Sequence, residues 1–175
     1  MKNKGFTIIE LLIVISLIST MSVLVFYDYG KNTKIFALER SAQKISQDLR
    51  ITQQKSMAGE GSSEGLNGYG IIFDVSNNNY SIYLNNNETP YYDTGDDIIE
   101  TIEMPSDVKI LNTKKDGSLL QPISISFFPP DPIVYIYDDY NNAEAIVTLS
   151  LVDDETKKRI VKINNSGGVE ILKDE

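Results

Sequence analysis

The sequence predicts an α+β protein in which one long N-terminal helix packs on an antiparallel β-sheet domain. Three observations support this fold class. Residues 6–26 are almost continuously apolar, and an apolar stripe at helical spacing then continues to about residue 57. Beyond residue 66, short alternating segments separated by turn residues are typical of strands. A length of 175 residues suits one compact domain with an appendage.

The apolar run at residues 6–26 has the length of a membrane-spanning helix. Its 21 residues rise about 31 Å as an α-helix, close to the thickness of the hydrocarbon layer. Lys2 and Lys4 precede the run, and Lys31 and Lys34 follow it, so charge alone does not orient it. A secretory signal peptide fits poorly because the run is too long and lacks a small-residue cleavage site.

One carboxylate, Glu10, lies inside this apolar run. A charge near the hydrocarbon layer costs about 2.5–3.5 kcal/mol on insertion scales, so such a residue normally has a function and a partner. A plain membrane anchor gives no reason for it.

The run KGFTIIELL at residues 4–12 resembles the prepilin leader of type IV pilins and type II secretion pseudopilins. The likeness comprises a short basic leader, Gly5, the following Phe6, and Glu10 four residues beyond it. In that family a membrane aspartyl peptidase cuts after the glycine and methylates the new N-terminal Phe. The resemblance therefore implies cleavage after Gly5 and N-methylation of Phe6, with the apolar helix kept in the mature protein.

The resemblance also implies an assembly role for Glu10. Cleavage frees an α-amine on Phe6, and methylation keeps its charge. Within one chain these two residues are i and i+4 on a helix and could neutralise each other. In a filament, the family's usual account pairs Glu10 with the Phe6 amine of a neighbouring subunit. Such a pair sets axial register, because a mis-registered carboxylate stays unpaired in an apolar bundle.

The second half of the helix is predicted from a stripe of residues spaced alternately by 3 and 4. Gly30 and its polar neighbours predict a bend or a locally loosened stretch before the stripe begins. The helix should end near Met57, before a flexible break at residues 59–63. Packing on a sheet is favoured over a coiled-coil seam, because the heptads are too few. Polar residues, Asp48 among them, lie off the stripe, which comprises Ile35, Leu38, Ala42, Ile45, Leu49 and Thr52.

The remainder of the chain is predicted to be antiparallel β-sheet. A hairpin, a proline-rich turn at residues 129–132 and a closing three-stranded meander organise it. The predicted strands comprise residues 69–75, 80–84, 98–102, 108–111, 123–128, 133–137, 145–152, 159–164 and 169–173.

This arrangement is similar to the pilin architecture. Residues 38–58 are similar to the helix of the GspH/FimT minor pseudopilins, and residues 159–171 to the closing hairpin of that group. The implied organisation is a leader at residues 1–5 that is removed, a transmembrane and assembly half-helix at 6–27, an amphipathic half-helix at 28–58, and a globular β domain at 59–175.

The composition restricts the chemistry open to this chain. It contains no histidine and no cysteine, which excludes disulfides and argues against Ser-His, Cys-His and zinc chemistry. No P-loop, dinucleotide-binding motif or nucleophile elbow occurs. We therefore predict that the protein is not an enzyme and needs no cofactor. Calcium at the acidic loops is the alternative, although solvated turns are the commoner explanation. These loops contain Asp93, Asp96 and Asp97, Asp138 and Asp139, and Asp153, Asp154 and Glu155.

The charge balance argues against nucleic acid as a direct partner. The chain carries 16 Lys+Arg against 25 Asp+Glu, a formal charge of −9. From residue 58 onward, 8 basic and 21 acidic residues leave −13. Such a surface repels phosphate backbones, with the basic run at 157–159 as a local exception.

Together these features predict a structural subunit, a minor pilin or pseudopilin, of a type IV pilus-like or type II secretion filament. A binding module at a filament tip, as adhesin or DNA-uptake subunit, and a major pilin are the alternatives. The expected partners are other pilin or pseudopilin subunits, the prepilin peptidase, the inner-membrane assembly platform and membrane lipid. The protein should cross the cytoplasmic membrane once, with its globular domain outside the cytoplasm, before it enters an extracytoplasmic filament.

Overall fold

A computed structural model describes residues 5–59, 68–87, 89–129, 133–139 and 143–173, and the side chains of residues 24–31 lie outside the described part. One helix, α1 (Ile8–Met57), precedes ten strands. The strands are β1 (Tyr69–Asp74), β2 (Asn79–Leu84), β3 (Asp97–Glu103), β4 (Val108–Lys115), β5 (Ser118–Leu119), β6 (Ile123–Phe128), β7 (Ile133–Ile136), β8 (Glu144–Leu151), β9 (Lys158–Asn164) and β10 (Val169–Lys173).

Helix α1 is continuous over 50 residues, about 75 Å at 1.5 Å per residue. It runs through Gly30 without interruption, so the local loosening expected there is wrong for the backbone. The predicted end at Met57 is confirmed. Gly59, at a φ of 66°, takes the left-handed conformation common just beyond a helix. The rest of the predicted break, residues 60–63, lies outside the described residues.

The β domain has two five-stranded antiparallel sheets where the sequence predicted one. The first sheet has the strand order β3-β2-β1-β6-β7, and the second has the order β10-β9-β8-β4-β5. The chain leaves the first sheet after β3 through a turn in which the Val108 N–H donates to the Pro105 carbonyl at 2.9 Å. Strand β4 then pairs with β8, with Val108 opposite Leu151. The alternation of apolar and polar residues predicts where strands occur but not which strands pair. The sequence therefore did not predict the division into two sheets.

Most local pairings follow the prediction. The β1–β2 hairpin, the β6–β7 pair and the β8–β9–β10 meander are confirmed. The proline-rich turn between β6 and β7 is described only at Pro129, because residues 130–132 lie outside the described part. Strand β5 and the polar second half of β4 were not predicted. Their turn is Asp116-Gly117, with φ values of 50° and 80°, and this dipeptide is a recognised hairpin signal.

The predicted stripe packs α1 against both sheets. Leu38, Ala42, Ile45 and Leu49 are each at most 1% exposed and belong to one apolar core with residues of both sheets. The helix contacts β1 and β6 of the first sheet and β4, β8, β9 and β10 of the second. A helix packed on sheets is therefore confirmed over a coiled-coil seam.

Two polar contacts fix the register of the helix on the first sheet. Asp48 is 8% exposed and accepts a hydrogen bond from the Tyr80 hydroxyl, while Lys44 lies 3.0 Å from the same carboxylate. Burial raises the pKa of Tyr80, which therefore stays protonated and remains a donor. Ser56 donates to the Phe127 carbonyl at 2.6 Å. The helix is thus tied to β2 at its middle and to β6 at its end.

Candidate functional site: the N-terminal end of the helix

The helix begins with a capping box formed by Thr7 and Glu10. Thr7 is the N-cap, and its hydroxyl oxygen accepts from the Glu10 N–H at 3.3 Å. In return, Glu10 Oε2 accepts from the Thr7 N–H and from the Thr7 hydroxyl, each at 2.8 Å. These reciprocal bonds satisfy backbone donors that the first helical turn cannot satisfy itself. One oxygen of the Glu10 carboxylate is therefore held by hydrogen bonds within its own chain.

Thr7 is a residue that the sequence analysis missed. The pattern Thr-x-x-Glu before an apolar run is a capping-box signature and would have identified it. The sequence analysis considered only the Phe6 amine as a local partner of Glu10. That amine is free only after cleavage, and in the uncleaved chain Thr7 holds the carboxylate.

The predicted cleavage site lies immediately before this box. Gly5 is exposed and outside the helix, and a Cβ added to it would meet nothing within 4 Å. Phe6 is 88% exposed. Residues 1–4, with the basic leader, lie outside the described part. All atoms of the box belong to Thr7 and Glu10, so removal of residues 1–5 would leave the box intact.

The helix beyond Glu10 exposes apolar side chains on every side. The large apolar residues between Phe6 and Val23 are 50–88% exposed. Thr20 and Ser22 donate to carbonyls of their own helix, at 2.9 Å to Leu17 and 2.8 Å to Ile18. These hydroxyls therefore need no external partner. Glu10 Oε1, by contrast, has no hydrogen-bond partner among the described residues.

The membrane prediction concerns this same segment. In the described part of the chain, no helix is both long and apolar enough to cross a membrane. The predicted span, residues 6–27, ends inside the stretch 24–31 whose side chains lie outside the described part.

Ion pairs hold α1 to the second sheet where the helix enters the domain. The Glu39 carboxylate accepts from Arg159 Nε at 2.6 Å, and that Arg159 side chain is only 13% exposed. One turn earlier, Lys34 pairs with Asp153 and lies 3.6 Å from Asp107. The hydrogen bond to Asp153 raises the pKa of Lys34, so the lysine is charged at neutral pH. These contacts fix the direction in which the apolar half of the helix leaves the domain.

Glu39 gives this attachment a pH dependence. The hydrogen bond from Arg159 lowers the pKa of the Glu39 carboxyl below its ordinary value of 4.5. A carboxyl whose pKa is lower in the folded state stabilises the fold fully above its unfolded-state pKa. This stabilisation is lost as the pH falls through the folded-state pKa. We expect Glu39→Gln to lower the free energy of unfolding by about 1 kcal/mol at neutral pH and to flatten the stability curve below about pH 4.5.

Thermal melts of the full chain in detergent, taken from neutral to acidic pH, measure this effect. Glu100→Gln is the matched control, because Glu100 is exposed and has no ion pair among the described residues. Equal pH slopes for wild type and Glu39→Gln would contradict the expectation.

The acidic loops use their carboxylates in local contacts. Asp96 accepts from the Asn86 N–H at 3.0 Å and the Asp93 N–H at 2.9 Å, and burial raises its pKa. Lys115 lies 2.8 Å from Asp138, and Lys109 lies 2.5 Å from Glu155. No group of three or more potential metal ligands occurs among the described residues.

Comparison with known proteins supports the N-terminal interpretation. Residues 1–26 match the family model described as the prokaryotic N-terminal methylation motif. The matched range includes the predicted cleavage site and the apolar start of the helix. No match was found among curated proteins or among solved structures.

Proposed function

We propose that this protein is a minor pilin or pseudopilin, a structural subunit of a type IV pilus-like or type II secretion filament. The observation that carries the proposal is the N-terminal methylation motif at the start of an exposed apolar helix. The absence of His and Cys supports a role that is neither enzymatic nor cofactor-dependent.

Processing is the first step of the proposed function. A prepilin peptidase cuts after Gly5, where the bond is exposed and lies outside the helix, and Phe6 then receives a methyl group. The apolar helix stays in the cytoplasmic membrane with the domain outside the cytoplasm. The Phe6 amine keeps its charge after methylation and is then free to pair with Glu10 of a neighbouring helix.

Assembly is the second step. The inner-membrane assembly platform brings the helices together. The apolar surface of each helix then exchanges its contacts with lipid for contacts with neighbouring helices. Glu10 Oε2 remains hydrogen-bonded to Thr7, and Glu10 Oε1 accepts from the Phe6 amine of the adjacent subunit. The capping box supports this role because it holds the carboxylate at a fixed position at the helix start.

Filament-tip binding is the second candidate, and an aromatic cluster favours it. Tyr91 and Tyr137 stack with ring centroids 5.3 Å apart, and Tyr137 is 37% exposed at a φ of 60°, uncommon for a bulky residue. An aromatic pair with one exposed and one half-buried ring suits an adhesin contact. The acidic charge of the domain disfavours direct DNA uptake.

Intact-mass and peptide mass spectrometry test the processing step. In cells that carry a prepilin peptidase, the wild-type chain should lose residues 1–5 and carry one methyl group on Phe6. Gly5→Trp should remain full-length. Gly117→Asn is the matched glycine control, because Asn tolerates its positive φ and the site has open space. A wild-type chain that stays uncut beside an active peptidase would overturn the proposed function.

A further inference from the structure

A row of exposed residues runs along the second half of α1, on the side that faces away from both sheets. Phe36 lies near its start and is 69% exposed. Residues that follow or precede Phe36 by steps of 3 and 4 lie on the same face of the helix, and all of them are exposed. We call this set the outer stripe, and it comprises Asn32, Thr33, Phe36, Arg40, Gln43, Gln47, Arg50, Ile51 and Gln54.

The outer stripe contains two arginines and no acidic residue. Arg40 has no ion pair among the described residues, and Arg50 donates to a neutral carbonyl of β10 at 3.4 Å. The two acidic residues of this half-helix face the sheets instead, because Glu39 pairs with a strand of the second sheet and Asp48 is 8% exposed. The stripe is therefore basic, although the whole chain carries a formal charge of −9.

Arg40 also lies where two open grooves meet. The first, of about 480 Å³, includes Phe36 and Ala37 in its lining. The second, of about 270 Å³, separates α1 from the turn after β3 and contains Glu103. No ion pair joins Glu103 to Arg40, although both are described and line the same groove. The grooves leave room beside Arg40 for a side chain from a second molecule.

The outer stripe continues directly from the exposed apolar half of the helix. Helix α1 is uninterrupted from Ile8 to Met57, and the large apolar residues at its start are exposed. Subunits that enter one membrane with the same orientation have parallel helices. In the proposed filament, a neighbour that packs beside the apolar half therefore continues beside the outer stripe, with Phe36 at the junction.

We propose that the outer stripe binds the parallel helix of a different filament subunit, whose facing side carries carboxylates. Arg40 and Arg50 are ten residues apart, about 15 Å along the helix axis. The partner helix therefore presents two carboxylates about ten or eleven residues apart on one face, and its apolar residues cover Phe36. This contact rests on the proposed function and deepens it, because it specifies the kind of subunit that lies next to this one.

Two copies of this chain cannot make this contact between their own outer stripes. Neither stripe contains a carboxylate, so no axial shift of one copy against the other brings an acidic residue of the stripe to Arg40 or Arg50. The arginines would meet polar or like-charged residues, and such a mismatch selects against the wrong partner. Exposed ion pairs contribute little affinity, so the stripe determines which subunit is the neighbour while the apolar half supplies most of the binding.

Photocross-linking from position 47 tests the contact in the full chain. Gln47 is exposed on the outer stripe between Arg40 and Arg50, so a benzophenone amino acid in its place should contact the partner helix. The chain is produced in cells that carry the peptidase and the assembly machinery, and isolated filaments are irradiated. Mass spectrometry of the linked peptides should identify the helix of a different subunit, at a segment with two carboxylates on one face.

The same photoreactive residue in place of Leu119 is the matched control. Leu119 is 67% exposed, lies on β5 of the second sheet and does not belong to the outer stripe. It should give no link to the helix that position 47 reaches.

Charge variants test the role of the two arginines. Arg40→Glu with Arg50→Glu should reduce the link from position 47 about fivefold, and exchange of the two carboxylates of the partner for arginines should restore it. Arg40→Lys with Arg50→Lys should keep the link. Lys114→Glu with Lys157→Glu makes the same change in net charge outside the outer stripe and should leave the link unchanged. Thermal melts of each full chain in detergent show that the variants fold.

The outcomes separate this inference from the proposed function. A link from position 47 to a second copy of this chain, or to a helix segment without carboxylates, would overturn the proposed partner and leave the filament role standing. A link that the folded Arg40→Glu/Arg50→Glu chain keeps at full yield, or a filament in which position 47 gives no link, would do the same. A processed chain that never enters a filament fraction would overturn the proposed function and the contact with it.

Discussion

Glu10→Ala is expected to reduce incorporation into filaments at least tenfold while leaving the globular domain folded. The substitution removes Oε1, the acceptor without a partner among the described residues, and also the cap bonds to Thr7. Without a carboxylate, the methylated amine of the neighbouring Phe6 would remain an uncompensated charge in an apolar bundle, which costs about 3–5 kcal/mol for buried pairs. Quantifying the chain in sheared filament and membrane fractions measures the effect.

Glu10→Gln separates the two roles of this side chain. Glutamine at the same position can still complete a capping box, but it carries no charge. If charge pairing drives assembly, Gln should fail nearly as completely as Ala. Thr7→Ala is the matched variant, because it weakens the cap and keeps the carboxylate, so it should still assemble. A wild-type yield of filaments from Glu10→Gln would contradict the pairing mechanism. Glu10 would then act only as part of the capping box of its own helix.

The parts of the structure that depend on one element alone were predictable from sequence. The 3-and-4 spacing of Leu38, Ala42, Ile45 and Leu49 needs only the helical period, and the structure buries all four. The β1–β2 hairpin likewise needs only two alternating segments and a short turn. Local chemistry sets such features, so they can be read before the fold is known.

The parts that depend on distant partners were not predictable. Asp48 lies off the apolar stripe and resembles a solvated residue, yet Tyr80, 32 positions away, buries it and donates to it. The division into two sheets depends on β4 choosing β8, a strand that begins 29 residues after β4 ends. The spacing of residues in the sequence does not indicate that Asp48 pairs with Tyr80 or that β4 pairs with β8. Such long-range pairs depend on the packing of the whole core.

At the candidate site, the prediction and the structure complement each other. The resemblance predicts roles for Gly5, Phe6 and Glu10 and predicts a partner for Glu10 in another subunit, and these roles stay predictions. The structure adds Thr7 and shows that one carboxylate oxygen is already occupied. The two hydrogen bonds to Thr7 hold the Glu10 carboxylate in one position. Its pairing with a neighbouring subunit would therefore lose less conformational entropy than the pairing of a freely rotating carboxylate.

Leu49→Ala is expected to destabilise the protein by about 2–5 kcal/mol, the largest effect that we predict for stability. Leu49 is 1% exposed and belongs to the core in which α1 meets both sheets. The cavity would loosen both contacts together, because one helix serves as the common support. At this chain length the melting temperature of the full chain in detergent should fall by roughly 10 °C.

The same variant separates folding from processing. Ile51→Ala, at a side chain that is 37% exposed, is the matched control and should cost less than about 1 kcal/mol. Cleavage after Gly5 should proceed in both variants, because the methylation motif covers residues 1–26 and Leu49 lies outside it. A Leu49→Ala chain that melts like wild type would show that α1 is not the common support of the two sheets. A chain that melts early but is processed normally would show that the peptidase reads the N-terminal segment without the folded domain.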